Sequence, residues 1–443
     1  MRKGRTEEQL SLVPMAKRGR KVEARWEWTE PSVWTERMLD ALERGVKGGK
    51  WYSLIDKVYA EETLEAGWKR VKRNRGSAGV DRETIDDFQR RAETRLARLA
   101  QQIEGDIYEP KPIRRTWIPK LGSSELRPLG IPAVTDRIAE TALRMTIEPI
   151  FEKKFMECSY GFRPKRGTKD ALRRVQQHLD EERTFVVDID IEKYFDTIDH
   201  SLLMEEVKKE ISDGRVLRMI EKSLSRGVME TTQSYAAPEG GTPQGSVISP
   251  LLANIFLHPV DEAMTRAGYE VVRYADDCVV MCRTQEEAER AMSRMHELIE
   301  QRRLTLHPEK TKLVDATAPG GFDFLGYHFE QGRRTPRKKS LRKLKDAVRE
   351  KTRRNNGYSL VRIIEMLNVI VRGWFAYFQH SARRIFGWLD SWIRGRLRSI
   401  LRHRLGLRGR GRGRDHQRWT NAYFRRMGLY SMAEAHQLLI RSR

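Results

Sequence analysis

The sequence has few cysteines and no long hydrophobic run. Three cysteines in 443 residues are too few, and odd in number, for a disulfide framework, which favours a reducing compartment. No run approaches the ~20 apolar residues of a membrane span, and no secretory signal opens the chain. We therefore expect a cytoplasmic protein that does not enter a membrane, with Cys278 and Cys282 as buried small hydrophobes rather than zinc ligands.

Acidic residues are in the minority. The chain has 62 Asp and Glu against 85 Lys and Arg, a net charge of +23. A surplus of this size requires an anionic counter-surface, and a nucleic acid is favoured because phosphate contacts release condensed counterions. An anionic membrane surface is the alternative.

Acidic residues nevertheless collect at the ends of predicted strands. Residues 184–191 form a predicted strand that carries Asp188 and Asp190 two positions apart, on one face. Residues 270–274 and 278–283 form a predicted hairpin with Asp276 and Asp277 at its tip. Further helices are predicted at 136–155, 168–180, 201–224 and 285–302.

Three clustered carboxylates repel one another unless a positive charge lies among them. Magnesium is the hard, oxygen-seeking ion for such a site. Two such ions about 3.5–4 Å apart can serve nucleotidyl transfer. An Asp-Asp pair in a turn is, on its own, more often ordinary turn chemistry, so the surrounding motifs have to decide.

Seven sequence blocks occur in the order found in reverse transcriptases. Val271-Val-Arg-Tyr-Ala-Asp-Asp277 resembles their YxDD box, and Asp190-Ile-Glu-Lys-Tyr-Phe-Asp-Thr-Ile-Asp-His200 resembles their first acidic motif. Gly241-Thr-Pro-Gln-Gly-Ser-Val-Ile-Ser-Pro-Leu-Leu-Ala-Asn254 resembles the loop that cradles template and nucleotide. The other blocks are Arg127-Pro-Leu-Gly-Ile-Pro132, Ser159-Tyr-Gly-Phe-Arg-Pro164, Lys310-Thr-Lys312 and Phe324-Leu-Gly326. The set is most similar to the bacterial proteins encoded by group II introns.

The resemblance implies a role for each matched residue. Asp190 and Asp276 are expected to be the principal ligands of two Mg²⁺ ions, with Asp277 completing the cluster less directly. Phe195 is expected to exclude a ribose 2′-hydroxyl and so to favour dNTPs; a plain core residue is the alternative. Gln244 is expected beside the incoming nucleotide, and Lys120, Arg127 and Lys312 near its triphosphate or the aspartates; hairpin surface charge is the alternative for the first two.

The chain changes character after the predicted palm. Residues 333–354 hold twelve Lys or Arg and two acids, and residues 394–414 hold nine Arg and no acid. An amphipathic helix begins at Leu360, and another is predicted at 381–403. Leu367-Asn368 and Arg372-Gly-Trp-Phe-Ala-Tyr-Phe378 resemble the maturase signature. The predicted nucleic-acid contacts are Arg337, Lys338, Lys339, Arg342, Lys343, Arg408, Arg410, Arg412 and Arg414.

The predicted fold is α+β: a right-hand polymerase with fingers and palm, followed by an α-helical thumb or maturase domain. The expected divisions are a basic N-terminal extension (1–50), fingers and palm (51–330), the thumb/maturase domain (331–403) and a basic tail (404–443). Within the extension, residues 1–30 are expected to be a loosely ordered leader, and a helical pattern starts at Pro31. Trp419, Tyr423, Phe424 and Tyr430 in the tail suit either stacking on bases or a small packed cap. The chain reaches Arg443 without the HNH endonuclease of many relatives, so no second-strand cleavage is expected.

The implied function is copying of intron RNA into DNA together with assistance to splicing. The implied partners are group II intron RNA, an RNA template with a DNA primer, target DNA and dNTPs. Three alternatives stay open: a splicing factor with a silent polymerase, a reverse transcriptase of another system such as phage defence or CRISPR spacer capture, and an RNA-dependent RNA polymerase.

Overall fold

The computed structural model describes residues 25–119, 126–231, 234–236, 241–242, 245–407, 409, 411 and 413–441. Helices and strands are both abundant in these residues, and the fold is α+β as predicted. The expected leader lies largely in 1–24, outside the described residues.

The first described segment is a set of helices. They are α1 (Glu36–Arg44), α2 (Ile55–Tyr59), α3 (Glu61–Asn74), α4 (Ile85–Gln89) and α5 (Ala92–Glu104). Trp26 and Trp34 are 2% exposed and belong to the main hydrophobic core, and Trp34 Nε1 donates to the Met145 carbonyl at 3.0 Å. Residues 26–30 of the predicted leader therefore pack against the main core, and the helical pattern predicted from Pro31 is confirmed by α1.

A four-stranded sheet forms the fingers side. Strands β1 (Ile113–Pro119) and β2 (Leu126–Ile131) pair antiparallel, and β4 (Val228–Thr231) joins β1 in parallel with β5 (Ser234–Ala236) at its outer edge. The sequence of residues 113–118 predicts a strand, and residues 119–128 predict a hairpin with a short return strand; both strands are present. Helix α6 (Val134–Glu152) follows β2, close to its predicted bounds.

The central sheet has four antiparallel strands in the order β6-β7-β3-β8. These are β3 (Phe185–Ile189), β6 (Glu270–Tyr274), β7 (Asp277–Cys282) and β8 (Lys312–Asp315). Residues of β3 alternate between two cores: Val187 and Ile189 lie in one, Val186 in the other. The sheet is therefore covered on both faces, which explains its nearly continuous apolar sequence. Cys278 and Cys282 are buried in it, as predicted.

Helices cover the two faces of this sheet. They are α7 (Thr168–Asp180), α8 (Tyr194–Thr197), α9 (His200–Glu210), α10 (Gly214–Ser225), α11 (Ser249–Arg266) and α12 (Gln285–Gln301). The single helical pattern predicted at 201–224 is two helices, α9 and α10. The break is at Asp213, whose carboxylate accepts from the backbone N–H of Arg215 and Val216 and, from another part of the chain, of Leu54 and Ile55. Such capping starts a new helix.

A small sheet links the palm to the C-terminal helices. It contains β9 (Phe322–Phe324), β10 (Tyr327–Glu330) and β11 (Arg333–Pro336). The helices are α13 (Lys338–Lys351), α14 (Leu360–Phe378), α15 (Arg384–Arg404), α16 (Arg414–Arg418), α17 (Asn421–Arg426) and α18 (Met432–Arg441). No helix in the described part of the chain is long and apolar enough to span a bilayer.

The residues predicted to form a separate tail pack onto α14 and α15. Trp419, Phe424 and Met432 share one hydrophobic core with those helices. Asp390 of α15 accepts from Ser431 Oγ at 2.8 Å and from the backbone N–H of Met432 and Ala433. The aromatic residues of the tail therefore form a packed cap, the second of the two interpretations considered for them.

Candidate active site

Strand register brings the three predicted aspartates to one end of the central sheet. In β3 Ile189 pairs with Cys278 of β7, and in β6 Tyr274 pairs with Asp277. Asp190 directly follows Ile189, so it lies beside Asp277 at the turn of the β6–β7 hairpin. The predicted strand 184–191 ends at Ile189, which places Asp190 just beyond the ladder rather than within it.

The hairpin tip is a tight turn. Ala275 has a left-handed backbone with φ 60°, a conformation uncommon outside glycine. The Gly161 backbone packs so closely on Tyr274 and Ala275 that a Cβ at position 161 would collide with the Ala275 backbone. Only glycine at position 161 therefore allows the two backbones to pack this closely.

A buried arginine fixes the same turn. Arg273 forms an ion pair with Asp261, with Nε donating to Oδ1 at 2.7 Å, and both side chains are at most 4% exposed. Its Nη1 donates to the Ala275 carbonyl at 2.8 Å and to Asn254 Oδ1 at 3.1 Å. Arg273 was not among the site residues predicted from the sequence. The only available signal was a lone cation inside an apolar strand.

The electrostatics of the acids is unfavourable for a fully ionised cluster. Desolvation raises the pKa of Asp277 to about 6, and repulsion from Asp276 and Asp190 adds to this, while Arg337 opposes it. Desolvation likewise raises the pKa of Asp276, again with repulsion from Asp190. Asp188 belongs to the same field: burial raises its pKa to about 7, Lys312 lowers it, and Asp277 and Asp190 raise it. A nearby cation would relieve all these costs.

The lysine that contacts the acids is not the predicted one. Lys310 Nζ lies 3.2 Å from Asp190 Oδ1. Lys312 pairs in register with Asp188 across β3 and β8. Lys312, predicted to act on the triphosphate or the aspartates, thus faces Asp188, and its role stays a prediction. The lysine in contact with Asp190 is Lys310, two residues earlier.

Phe195 lies at the edge of the site, half-buried. Its ring makes T-shaped contacts with Phe162 at 6.5 Å and with Tyr194 at 5.4 Å between centroids. Phe162 also contacts Tyr274 of the hairpin at 6.4 Å. An aromatic row therefore joins Phe195 to the residue preceding the acidic turn.

The predicted nucleotide loop is anchored to the fingers by buried groups. Glu140 of α6 accepts from Ser246 Oγ and from the Val247 N–H, each at 2.8 Å. Glu140 also forms an ion pair with Arg226, and both side chains are 1% exposed. Gly245 packs on the Gly130 backbone without room for a side chain. The pair of Glu140 and Arg226 was not predicted from the sequence, and its Glu140 anchors the loop to α6 at Ser246 and Val247.

Three predicted nucleotide contacts stay untested by this geometry. Lys120 and Gln244 lie outside the described residues, and the description of Arg127 covers its backbone in β2 but not its side chain. They remain predictions.

The predicted nucleic-acid contacts divide into three groups. Lys338, Lys339, Arg342 and Lys343 are exposed on α13, and Arg414 is exposed at the start of α16. Arg337 is half-buried and lies near enough to Asp277 to lower its pKa. Residues outside the described part of the chain are Arg408, Arg410 and Arg412.

The acids do not form a closed metal cage. Among the described residues, no group of three or more His, Cys, Asp or Glu side chains is arranged as a ready metal site. The donor set still fits a divalent cation, because it consists of carboxylate oxygens, the ligands that hard cations prefer. Desolvation, with repulsion between the aspartates added to it, raises the pKa of Asp276 and Asp277.

Comparison with known families agrees with this geometry. Residues 118–329 match the reverse transcriptase (RNA-dependent DNA polymerase) family. Residues 341–427 match the maturase-specific domain of group II introns. A segment that matches the reverse transcriptase family is thus followed by a segment that matches the group II intron maturase domain. The fold is accordingly that of polymerase fingers and palm with a helical maturase region, and the second match continues past residue 403, where the maturase domain was predicted to end.

Two relatives illustrate the similarity. Protein YkfC of Escherichia coli is 37% identical over 243 residues, which are 54% of this chain and 60% of that protein. The group II intron-encoded protein LtrA of Lactococcus lactis is 37% identical over 197 residues, 44% of this chain and 32% of that protein. The chain thus covers 60% or less of the length of either relative. Reverse transcriptases generally use divalent metal ions, and the two domains imply nucleic-acid partners.

Proposed function

We propose that this protein is an RNA-directed DNA polymerase that copies intron RNA into DNA and assists splicing of that intron. The observation that carries the proposal is the register of β3 with the β6–β7 hairpin, which sets Asp190 beside Asp276 and Asp277. The match to the reverse transcriptase family over the same residues supports it.

Magnesium is the ion proposed at these acids. Two bound Mg²⁺ would supply Lewis-acid stabilisation to the attacking and leaving oxygens of nucleotidyl transfer. Asp190 and Asp276 are proposed as the main ligands and Asp277 as the third carboxylate. The protein's own contribution is positioning: Arg273 holds the Ala275 carbonyl, and Lys310 balances Asp190.

Substrate selection is proposed to depend on the row of aromatic rings and the anchored loop. The Phe195 ring is proposed to fill the space of a ribose 2′-hydroxyl, and its contacts with Tyr194 and Phe162 hold it in place. Lys120, Arg127 and Gln244 are proposed to bind the dNTP. Lys312 is proposed to act through Asp188, which it faces.

The maturase part of the proposal rests on the second domain. The maturase match and the exposed lysines and arginine of α13 (338, 339, 342 and 343) support binding of intron RNA, of the template–primer duplex and of target DNA through phosphate contacts. We propose the divisions 26–330 for fingers and palm and 331–441 for the maturase region with its cap.

Primer extension by the purified protein tests the polymerase. With an RNA template, a DNA primer, dNTPs and Mg²⁺, a DNA product is expected; no product with either Mg²⁺ or Mn²⁺ would leave a splicing factor with a silent polymerase. Incorporation of rNTPs in preference to dNTPs would instead indicate an RNA polymerase.

Splicing of the flanking RNA tests the maturase. The RNA that surrounds the reading frame should splice faster with the protein than without it at low Mg²⁺. Active primer extension without any effect on splicing would favour a reverse transcriptase of another system.

A further inference from the structure

Two helices of the maturase region present a row of alternating cations and indole rings. Lys345 Nζ lies 4.4 Å from the ring centre of Trp388, and Arg349 Cζ lies 6.0 Å from that of Trp392. Arg396 Cζ lies over the same Trp392 ring, 5.7 Å from its centre. We call these five residues the aromatic–cation ridge.

The ridge follows from helical spacing. Trp388, Trp392 and Arg396 are four residues apart on α15 and so share one face. Lys345 and Arg349 are likewise four apart on α13. Each cation of α13 therefore meets one indole of α15, and the two helices together build a continuous strip.

The ridge has a large excess of positive charge. Lys345 contacts no carboxylate among the described residues, and the acid beside Arg349 is the exposed Asp346. The one acid of α15, Asp390, is buried and bonded to the start of α18. Burial lowers the pKa of Arg396, and repulsion from Arg349 and Arg354 lowers it further. Clustered like charges of this kind are stabilised by a bound anion.

A cleft opens at one end of the ridge. Its volume is about 280 Å³, and its lining includes Trp392, Arg396 and Arg354. Arg354 is held by Ser399 Oγ at 2.9 Å, and Arg396 by the Thr352 carbonyl at 3.0 Å. This volume is near the lower end for small-ligand sites, about 300–1,000 Å³, which suits one nucleotide and not a duplex.

The exposed indole of Trp388 favours an unpaired nucleic acid over a duplex. The Trp388 side chain is 48% exposed. Exposure of a large apolar ring to water does not stabilise the folded protein. Bases of a duplex are stacked on each other, whereas unpaired bases stack on aromatic side chains while cations hold the phosphates. A grip on duplex phosphates alone would need the lysine and arginines but not the indole.

We propose that the aromatic–cation ridge and its cleft bind an unpaired RNA segment, with a base on Trp388 and phosphates on Lys345, Arg349 and Arg396. The proposal deepens the RNA-binding part of the proposed function, but it does not depend on polymerase activity.

Binding of the full-length protein to a short unstructured RNA, compared with an RNA duplex of the same length, tests the proposal. Trp388→Ala should weaken binding to the single strand roughly tenfold and leave duplex binding within about twofold, because one stacked base is lost. Trp388→Phe should restore most of the affinity. Lys345→Ala should reduce the salt dependence of single-strand binding by about one phosphate, a slope change of ~0.7.

The matched control is Val369→Ala, which removes another exposed apolar side chain, 76% exposed on α14; it should leave both affinities unchanged. Unchanged single-strand binding in both Trp388→Ala and Lys345→Ala would overturn the proposal. An equal loss of single-strand and duplex binding would overturn the assignment to unpaired RNA. Thermal unfolding and primer extension of the same variants separate these outcomes from misfolding and from failure of the polymerase.

Discussion

The palm and the maturase region handle charge in opposite ways. In the palm, negative charge is concentrated at one sheet end, and the supporting cation Arg273 is 3% exposed. In the maturase region positive charge is spread along exposed helix faces, with Lys338, Lys339, Arg342 and Lys343 in contact with solvent. The first arrangement holds like charges together at high energetic cost, whereas the second provides a screened, extended field.

The palm site depends on precise geometry, whereas the basic surface of the maturase region depends mainly on its composition. The palm site depends on registers such as Ile189 with Cys278 and fails if one strand shifts by a residue. We expect the basic faces of α13 and α15 to tolerate local change, because each charge would contribute a similar increment to the proposed phosphate binding. Substitutions in the two regions should therefore differ sharply in size of effect.

Asp276→Asn should produce the largest loss of activity. It removes one carboxylate from the acid cluster, and we expect primer extension to fall by about 10²–10³-fold, the scale for loss of one group that stabilises transition-state charge. Single-turnover extension measures this, with RNA affinity expected to stay unchanged. Asp180→Asn, an exposed aspartate at the end of α7, is the control; activity above a tenth of wild type in Asp276→Asn would contradict the role of the residue.

Arg273→Met should destabilise the fingers and palm. Breaking a buried ion pair leaves Asp261 uncompensated, and we expect a loss of about 3–5 kcal/mol in the free energy of unfolding, measured by urea denaturation. The double variant Arg273→Met with Asp261→Leu should regain much of that stability. It should not regain activity, because the Ala275 carbonyl still lacks its donor; full recovery of extension would show that Arg273 acts only through stability.

Asp136 should make stability depend on pH. Burial raises its pKa from 3.8 to about 6, against the hydrogen bond from Tyr108 and the charge of Arg226. The native state thus binds the Asp136 proton more tightly than the unfolded chain does. The contribution of Asp136 to the free energy of unfolding therefore falls by roughly 2–3 kcal/mol as pH rises from about 4 to about 6. Asp136→Asn should remove this component from the difference between the two unfolding curves, and parallel pH profiles would refute the shift.

Phe195→Ala should relax selection of the sugar. Opening the space beside the ring should improve the kcat/KM ratio of rNTP to dNTP by roughly 10–200-fold, the range for a steric contact in a pocket. Phe162→Ala, which removes the neighbouring ring, is the matched control with a smaller expected effect. An unchanged ratio in Phe195→Ala would make Phe195 a core residue.

Neutralising the exposed face of α13 should have the smallest effect on stability. Changing Lys338, Lys339, Arg342 and Lys343 to Gln should alter the free energy of unfolding by less than about 0.5 kcal/mol. Each lost phosphate contact should lower the salt slope of duplex binding by ~0.9. Wild-type salt dependence would show that this face does not contact nucleic acid.

Local pattern was enough for most elements of the fold. Helices α7 and α12 and strands β6 and β7 were predicted within one residue of their bounds, because their apolar periodicity is strong and their ends carry clear signals. The predictions failed where distant residues decide: Asp213 splits one helical pattern into two because it caps a helix and also binds the 54–55 backbone. Trp26 packs into the main core, and its Nε1 donates at 2.6 Å to Glu43, seventeen residues away.

The sequence by itself determined the chemistry available to this protein: its acids, its aromatic residue at position 195, its positive surplus and the order of its motifs. Only the tertiary structure decided which residues support that chemistry. Arg273, Glu140, Arg226 and Lys310 act across long sequence separations, which periodicity does not report. The same holds for the cation–π contacts of Trp388 and Trp392 on α15, since their partners Lys345 and Arg349 come from another helix. Contacts of this kind exist only once the chain has paid the entropy of folding, so no local pattern encodes them.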